Sequence, residues 1–211
     1  MKPLSDGPHV CLITSGRAHP SNFETEKPRI LATIRYAVED GVDLIQIREK
    51  SLPAKLLFEL VLGAVDVLSS TRALVIVNDR PDVASAAGAD GVHLPETSLP
   101  PDVVRRTFKR QLVIGVSTHS IEQASIAANS GADYIFYGPI FETPGKGVPV
   151  GIESLKAVCD SLGSFPVFGL GGIDKSNFES VLSTGAAGIG AIRSLTEAKG
   201  RRAICAGFNS R

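Results

Sequence analysis

Two glycine-rich segments near the C-terminal end of the chain could bind a phosphate group. The sequence GLGG at 169–172 precedes a helix predicted to begin near Asp174, and GIGA at 188–191 precedes a further short helix. Glycine lets backbone N–H groups approach phosphate oxygens, and the positive end of a helix dipole favours the anion. Plain tight turns would also use these glycines, and Arg193 could be either a phosphate contact or a solvated helix residue. We interpret the two segments as one phosphate site.

Three polar side chains alternate along a segment that follows an apolar run. Gln46, Arg48 and Lys50 share one face of an extended strand, because successive side chains point to opposite faces. An amide with two cations suits a polyanion joined to a ring that forms hydrogen bonds. The alternative is a strand end with an ion pair to Glu49. Inward polar groups are costly to bury without a partner, which favours a ligand.

A carboxylate stands directly after another apolar run. Asp79 follows Asn78 and could hold Mg²⁺, which commonly takes one or two carboxylates together with phosphate oxygens. It could equally cap the helix that begins at Arg80-Pro81. These residues alone favour neither interpretation.

The histidines differ in how well they are placed to move a proton. His119 lies at the end of a predicted strand, and imidazole titrates near neutral pH. Helix capping by Ser117, Thr118 or Ser120 explains much of the same segment, so both interpretations stand. His93 has inward parity in its strand, and we expect a packed, hydrogen-bonded residue rather than a ligand. The sequence has no HxxxH or HExxH zinc spacing and no GxSxG nucleophile elbow.

Composition sets limits on the class of protein. The 211 residues are 43% apolar and 21% charged, with 22 basic and 22 acidic side chains. A net charge of zero provides no overall basic field for nucleic acid or an anionic membrane. Acidic residues interrupt the most apolar helical stretch and the N-terminus lacks an apolar signal core, so no bilayer span is expected. Cys11, Cys159 and Cys205 form no CxxC pair and fit a reducing cytoplasm, two in the core and one in the tail.

Short apolar runs alternate with longer helical patterns along the whole chain. Most runs are continuous, as expected for parallel strands buried on both faces. The predicted strands are His9–Thr14, Asp43–Ile47, Ala73–Asn78, Asp90–Leu94, Leu112–Val116, Asp133–Tyr137, Pro166–Gly169 and Ala187–Gly190. The predicted helices lie near 26–39, 53–69, 80–87, 100–109, 120–130, 151–162 and 174–183.

Four related turns support the count of eight strands. The sequences GVD at 41–43, GAD at 88–90, GAD at 131–133 and GAA at 185–187 each end a helix and start an even-numbered strand. Their spacing, roughly forty to fifty residues, equals two βα units.

The predicted fold is therefore α/β, a single-domain (β/α)8 TIM barrel over residues 1–211. A short N-terminal extension covers 1–8, and a C-terminal tail covers about 196–211. An open doubly wound sheet is the alternative, but no linker separates a second domain. In a barrel, functional residues lie where strands end and βα loops begin, which would bring all the candidates above to one face.

Taken together, the motifs resemble those of the thiamine-phosphate synthase family and the related thiazole tautomerases. The matches are QIREK at 46–50, ND at 78–79, GADGVHL at 88–94, IGVSTHS at 114–120, GADYIFYGPIFET at 131–143 and GLGGI at 169–173. Each motif is weak alone, whereas their shared order and spacing along nearly the whole chain is specific.

The resemblance implies an enzyme that joins hydroxymethylpyrimidine diphosphate to thiazole phosphate and releases pyrophosphate. By that comparison, Arg48, Lys50 and magnesium on Asp79 stabilise the leaving diphosphate. The other matched positions contact the substrates: Gln46, Asn78, Ser117, Thr143 and Lys146, with Gly171, Gly172, Gly190 and Ala191 around the thiazole phosphate. The resemblance also implies phosphorylated small-molecule substrates and possible homo-oligomers.

Several departures from the synthase pattern concern the metal and the loops. Ser98 stands where a second aspartate would bind magnesium, and Glu96 is shifted from that place by two residues. Ser15 stands where an aspartate often follows the first strand. Gly145 replaces the second threonine of the loop after GPI. We expect these changes to weaken magnesium binding.

The comparison with the tautomerases implies different chemistry. LP at 94–95 and FET at 141–143 resemble tautomerase sequences. Their proton shift on the thiazole needs a base such as His119 and no metal. A tautomerase has no evident need for Gln46, the two cations after it and Asp79 together. Three hypotheses follow: a synthase first, a tautomerase second, and a barrel that binds a thiamine precursor without turnover.

Overall fold

The computed structural model describes Leu4 and residues 7–108 and 111–209, and its centre is a closed barrel of eight parallel strands. The strands are β1 His9–Ile13, β2 Leu44–Ile47, β3 Leu74–Asn78, β4 Gly91–Leu94, β5 Val113–Thr118, β6 Tyr134–Tyr137, β7 Val167–Leu170 and β8 Gly188–Ala191. Pairing of β8 with β1 closes the ring, which confirms the predicted barrel and excludes the open sheet. Every predicted strand is found, with its ends displaced by two residues at most.

Helices alternate with the strands and cover the outside of the barrel. Within the described residues they are α1 Phe23–Glu39, α2 Ala54–Val67, α3 Pro81–Ala87, α4 Pro101–Thr107, α5 Ile121–Asn129, α6 Gly151–Leu162, α7 Phe178–Leu182, α8 Arg193–Thr196 and α9 Ala198–Asn209. None of them is long and apolar enough to cross a membrane. Position 109 of the predicted fourth helix, and most of the predicted extension at 1–8, lie outside the described residues.

Strand side chains divide between two hydrophobic clusters. One cluster fills the inside of the barrel and includes Cys11, Leu44 and Ile76. The other lies between the strands and the helices and includes Ile45 and Val77. Because both faces of each strand are buried, continuous apolar runs are needed, and these runs gave the strand predictions.

Aromatic rings and glycines share the space inside the barrel. Tyr134, Phe136 and Phe168 are among the largest fully buried side chains. A Cβ at Gly115 would lie 2.1 Å from the Tyr134 ring, and one at Gly190 would lie 2.9 Å from the Phe136 ring. These strand glycines therefore leave room for aromatic packing.

The repeated turns set the register between strand pairs. A carboxylate at the start of an even-numbered strand accepts a hydrogen bond from an N–H of the preceding strand. The three pairs are Asp43 with Val10 at 2.9 Å, Asp90 with Val75 at 2.9 Å and Asp133 with Ile114 at 2.7 Å. The fourth copy has Ala187, whose own N–H donates to the Val167 carbonyl at 2.7 Å. The four related turns in the sequence thus correspond to a structural repeat.

The predicted start of the seventh helix was wrong. The helix α7 begins at Phe178 with Asn177 as its N-cap, not near Asp174. The Asp174 carboxylate instead accepts hydrogen bonds from the Ser176 N–H at 2.7 Å and the Ser176 hydroxyl at 2.6 Å. Aspartate commonly closes such local turns, so the chain makes a turn here before the helix starts.

The segment expected as a C-terminal tail contains α8 and α9. Arg201 of α9 is 3% exposed and forms an ion pair with Asp40 at 2.8 Å, which fixes the helix to the end of α1. The cysteine expected in the tail, Cys205, is buried and therefore belongs to the core as the other two do. All three cysteines are free thiols in the interior.

Candidate functional site

A layer of four polar side chains lines the inside of the barrel at the C-terminal ends of β2 to β5. Gln46 donates from Nε2 to Asn78 Oδ1 at 3.1 Å, and His93 Nε2 lies 2.8 Å from Ser117 Oγ. Asn78 and His93 are partners in strand register, so the two pairs are adjacent. The structure therefore brings together three residues that the sequence proposed as site residues, Gln46, Asn78 and Ser117.

Gln46 provides an unused hydrogen-bond acceptor within this layer. The residue is 2% exposed, and its Oε1 has no hydrogen-bond partner among the described residues. A buried polar atom without a partner costs free energy, and a ligand that donates an N–H would satisfy it.

His93 is a packed, hydrogen-bonded residue, as predicted. It is 1% exposed, its ring lies 4.7 Å from that of Phe136, and its Nδ1 is 3.3 Å from the hydroxyl of Tyr134. Burial, and after it the positive charge of Arg48, lowers the pKa of His93 from 6.5 to about 3. The imidazole is therefore neutral at physiological pH.

Glu49 does not form an ion pair with the cations beside it. This carboxylate is 2% exposed and accepts hydrogen bonds from the N–H of Gly16 at 3.0 Å and of Ala18 at 2.8 Å. It therefore fixes the loop after β1 to the end of β2. Neither Arg48 nor Lys50 has an ion pair within the described part of the chain, so the ion-pair interpretation was wrong.

Unpaired cations concentrate at this end of the barrel. Helix cations such as Lys27, Arg105 and Lys156 form ion pairs with neighbouring carboxylates. In the loops that follow strands, the described cations without an ion pair are Arg17, Arg48, Lys50, Lys146 and Lys175, and Arg193 at the start of α8 has none either. A zero net charge therefore does not exclude anion binding at this face, because these cations are free to contact an anionic ligand.

Asp79 does not cap the following helix. The N-cap of α3 is Arg80, which makes no side-chain capping hydrogen bond, and Arg80 pairs with Asp82. The backbone of Asp79 has φ of 60°, and its N–H donates to the His93 carbonyl at 2.8 Å. Its carboxylate is exposed and makes no hydrogen bond to any described residue. A strained backbone that presents an unpaired carboxylate is typical of a binding site.

The protein supplies few ligands for a metal near Asp79. Glu96 accepts from Gln123 Nε2 at 2.7 Å, so it is engaged elsewhere. Ser98 is confined to a turn by its N–H bond to the Pro95 carbonyl at 2.9 Å. No group of three or more His, Cys, Asp or Glu side chains within the described ranges could hold a metal ion. A cation here would need oxygens from its own ligand, as Mg²⁺ usually does with phosphates.

The glycine turn after β7 contacts the loop after β6. Gly171 and Gly172 have φ of 101° and 65°, and a Cβ at either would lie within 2.7 Å of residues 139–142. The Phe141 N–H donates to the Gly171 carbonyl at 3.1 Å, and Asn177 Nδ2 to the Gly172 carbonyl at 3.0 Å. The N–H groups of both glycines make no hydrogen bond within the described residues, so they are available to an anion.

The segment after β7 meets the start of α8. Gly190 and Ala191 are the last residues of β8, and α8 begins two positions later at Arg193. Ser194 donates to the Ile173 carbonyl at 2.8 Å, which joins the two loops. This is the usual phosphate position in such barrels, at the loops after strands 7 and 8 and a short extra helix.

Thr143 and Lys146 lie in the loop after β6. Thr143 Oγ1 donates to the Phe141 carbonyl at 2.9 Å and would lie 3.2 Å from a Cβ at Gly171. Lys146 is exposed, and its N–H donates to the Thr143 carbonyl at 3.1 Å. Thr143 is therefore beside the glycine turn, whereas the ammonium group of Lys146, in the same loop, has no hydrogen bond or ion pair to the described residues.

His119 is exposed and hydrogen-bonded to the backbone of a neighbouring loop. Its Nδ1 donates to the Gly138 carbonyl at 2.5 Å, because a carbonyl can only accept. The helix cap predicted for this segment is Ser120, whose Oγ accepts from the Gln123 N–H at 3.2 Å. Ser117 does not take part in capping and instead belongs to the polar layer.

Sequence reasoning missed two residues that shape the site. Tyr134 contributes its hydroxyl to His93, and Glu49 anchors the loop after β1. Tyr134 lies two residues before Phe136, so both side chains point into the barrel, and this alternation could have identified Tyr134 as a residue near the site. Glu49 carries no comparable sign, because its partners are backbone groups about thirty residues away in sequence.

Comparison with known proteins identifies a consistent set of relatives. A family model described as thiamine monophosphate synthase matches residues 10–195. A thiamine-phosphate synthase of Gloeobacter violaceus is 40% identical over 174 residues, which cover 82% of this chain and 51% of that longer protein. A thiamine-phosphate synthase of Chlorobium limicola is 36% identical over 198 residues, covering 92% of this chain and 89% of that one. The structure of thiamine phosphate pyrophosphorylase from Pyrococcus furiosus matches with a TM-score of 0.83 at 31% identity, covering 96% of each chain.

Proposed function

Since the chain belongs to the thiamine monophosphate synthase family, we propose that it condenses hydroxymethylpyrimidine diphosphate with thiazole phosphate and releases pyrophosphate. One observation carries the proposal from the molecule itself. Unpaired cations after β2 and free glycine N–H groups after β7 lie at the same end of the barrel, with an uncharged polar layer at the ends of β2 to β5. A reaction between two phosphorylated small molecules requires two separate places for their anionic groups.

The first arrangement, after β2 and β3, suits the diphosphate. In the reaction, the carbon–oxygen bond to diphosphate breaks with its electron pair leaving on oxygen, and the thiazole nitrogen forms the new carbon–nitrogen bond. Arg48 and Lys50 are unpaired cations beside this point and stabilise the charge that develops on the leaving group.

The polar layer suits the pyrimidine ring and the inner part of the diphosphate. Gln46 has a buried Oε1 that can accept from the amino group of the ring, and its Nε2 is held by Asn78. Ser117 adds a hydroxyl at the end of β5. Fixing the ring in this way places its reactive carbon in a defined position toward the second substrate.

The second arrangement, after β7 and β8, suits the thiazole phosphate. The free N–H groups of Gly171 and Gly172 bind phosphate oxygens, with Gly190 and Ala191 on the neighbouring strand end. Thr143 and Lys146 are assigned to the same substrate because their loop contacts the glycine turn.

Magnesium fits this site as a cation carried by the diphosphate and held by Asp79. The unpaired Asp79 carboxylate supplies one protein ligand, and Ser98 supplies no second carboxylate. When bound, the ion neutralises charge on the diphosphate oxygens. A single carboxylate suffices for Mg²⁺ that keeps phosphate oxygens and waters as its other ligands.

The tautomerase hypothesis is not favoured. The relatives described above are named as thiamine-phosphate synthases or thiamine phosphate pyrophosphorylase, and the unpaired cations after β2 have no evident use in a proton shift. The condensation removes no proton, so we assign His119 to holding the Gly138 loop rather than to acting as a base. A binder without turnover would leave the diphosphate intact, which the following experiment tests.

Pyrophosphate release from both substrates, with and without magnesium, tests the proposed function. The full-length protein should release pyrophosphate only with both substrates present, and Lys50→Ala should reduce the rate by at least about 100-fold. Lys55→Ala is the matched control, since Lys55 is also exposed and unpaired but lies on α2. Absence of release by the unaltered protein would refute the synthase function.

A cytoplasmic location and assembly into homo-oligomers stay predictions. The three buried free thiols are compatible with a reducing compartment. Sedimentation of the purified protein would decide the oligomeric state.

A further inference from the structure

Three side chains form a hydrogen-bonded chain from the barrel interior to the site. The Tyr134 hydroxyl is 3.3 Å from His93 Nδ1, and His93 Nε2 is 2.8 Å from Ser117 Oγ. Tyr134 is 0% exposed and His93 is 1% exposed, whereas Ser117 is half-buried at the end of β5. The chain therefore joins a fully buried phenol to a hydroxyl that a ligand can reach.

We propose that Tyr134 and His93 fix the direction of the Ser117 hydroxyl, so that Ser117 donates its proton to the bound diphosphate substrate. Tyr134 donates to Nδ1 of His93, and the Nε2–H of His93 donates to Ser117 Oγ. His93 and Tyr134 are positioning residues, and Ser117 is the group that touches the substrate. The identity of the substrate rests on the proposed function, whereas the orientation of the chain does not.

The first step depends on the buried phenol. Within the described residues, His93 Nδ1 is the hydrogen-bond partner of the Tyr134 hydroxyl. If Nδ1 carried the proton, the phenolic proton would be buried without an acceptor, which is costly. Donation from Tyr134 to a bare Nδ1 satisfies both groups, and it places the imidazole proton on Nε2.

The second step depends on His93 remaining neutral. Its ring lies among Tyr134 and Phe136, and the charged group acting on it is the cation Arg48. A cationic imidazole would carry protons on both nitrogens and would again leave the phenolic proton without an acceptor. The depressed pKa of His93, caused first by burial, agrees with this geometry.

The third step concerns the proton of Ser117. Its oxygen accepts from Nε2–H, and its own proton has no acceptor among the described residues. The hydroxyl lies beside His93, whose carbonyl holds the N–H of Asp79 at 2.8 Å. The free proton is therefore available to an acceptor atom of a substrate at the β3 to β5 ends, where the diphosphate substrate is placed.

The ring nitrogens of His93 can be observed directly by NMR. Full-length protein with ¹⁵N-labelled histidine has four imidazoles, and the His93 signals are those lost in His93→Gln. We expect a protonated Nε2 and a bare Nδ1 at neutral pH. A proton on Nδ1, or on both nitrogens, would overturn the proposal whether or not the protein turns over substrate.

Substitutions test whether this orientation matters for the reaction. Tyr134→Phe removes the phenolic donor, so we expect a second imidazole tautomer and a kcat about tenfold lower, with KM for thiazole phosphate unchanged. Gln can present an N–H to Ser117, so His93→Gln should keep a kcat at least about tenfold above that of His93→Leu.

Thermal unfolding identifies variants that fail for structural reasons. Equal loss of kcat in folded His93→Gln and His93→Leu would overturn the positioning role. A wild-type kcat in Tyr134→Phe would do the same. If either variant does not fold, the tautomer of His93 in the unaltered protein still decides the orientation. The His93 signals are then identified as those that remain in single variants of each of the other three histidines.

Discussion

Gln46 donates a hydrogen bond from Nε2 to Asn78 Oδ1 at 3.1 Å, while its Oε1 lies buried without a partner in the described chain. An unsatisfied buried acceptor costs about 1–3 kcal/mol. The Gln46 Oε1 atom therefore does not contribute to the stability of the folded protein. A substrate N–H that pairs with Oε1 would recover this cost on binding.

Replacing Gln46 by Leu should separate binding from stability. The substitution removes the unsatisfied Oε1 but also the bond to Asn78, so the free energy of unfolding should change by only about 1 kcal/mol. The KM for the pyrimidine diphosphate should rise by at least about tenfold, because the ring loses its acceptor. Urea unfolding and steady-state kinetics measure the two effects. An unchanged KM would place the ring elsewhere.

Asp79 should be dispensable for folding and required for magnesium-dependent release. Its φ of 60° is sterically unfavourable for aspartate and allowed for glycine, and this gain offsets the larger conformational entropy that glycine loses on folding. Asp79→Gly should therefore leave the free energy of unfolding equal or raise it by up to about 1 kcal/mol. Loss of the carboxylate should reduce pyrophosphate release at limiting magnesium by at least about 100-fold.

The control for Asp79 is another exposed carboxylate. Asp66→Asn alters a residue on the outside of α2 and should change neither quantity. If Asp79→Gly kept its release rate across a magnesium titration, Asp79 would not be the metal ligand.

The barrel could be predicted from sequence because its strands are buried on both faces. Val75, Ile76 and Val77 belong to one continuous apolar run. In a chain where such short runs alternate with helices at regular spacing, they are typical of parallel strands. The GAD turns could be recognised for a similar reason. Asp90 and Asp133 perform the same task, binding an N–H of the preceding strand, so the same residue recurs.

Contacts between distant residues could not be predicted. Alternation placed Gln46 on the inward face, but its pairing with Asn78 depends on the register between β2 and β3. The start of α7 was missed because Asp174 fits a helix cap and a local turn equally well. Gly190 was assigned to a phosphate turn, yet its lack of a side chain is also required by the Phe136 ring beside it.

His119 should affect substrate binding more than the chemical step. The condensation removes no proton, and the Nδ1 of His119 is bonded to the Gly138 carbonyl. We expect His119→Ala to keep kcat within about tenfold and to raise KM for thiazole phosphate, because the loop after β6 loses an anchor. Steady-state pyrophosphate release with each substrate varied in turn provides both constants. A fall in kcat of more than about 100-fold would restore a proton-transfer role.

His93 should make the folded protein less stable as the pH falls. Burial lowers its pKa in the folded state from 6.5 to about 3, while the unfolded chain takes up the proton near 6.5. Between these values the unfolded state binds more protons, so the free energy of unfolding decreases by up to about 1.4 kcal/mol per pH unit through this residue. His93→Gln carries no such proton. We would measure the free energy of unfolding of both proteins in urea from pH 7.5 to pH 4.5. Below about pH 6.5, the free energy of unfolding of the unaltered protein should decrease steadily relative to that of His93→Gln. Parallel curves for the two proteins would mean that His93 titrates normally in the folded state and would contradict a pKa lowered by burial.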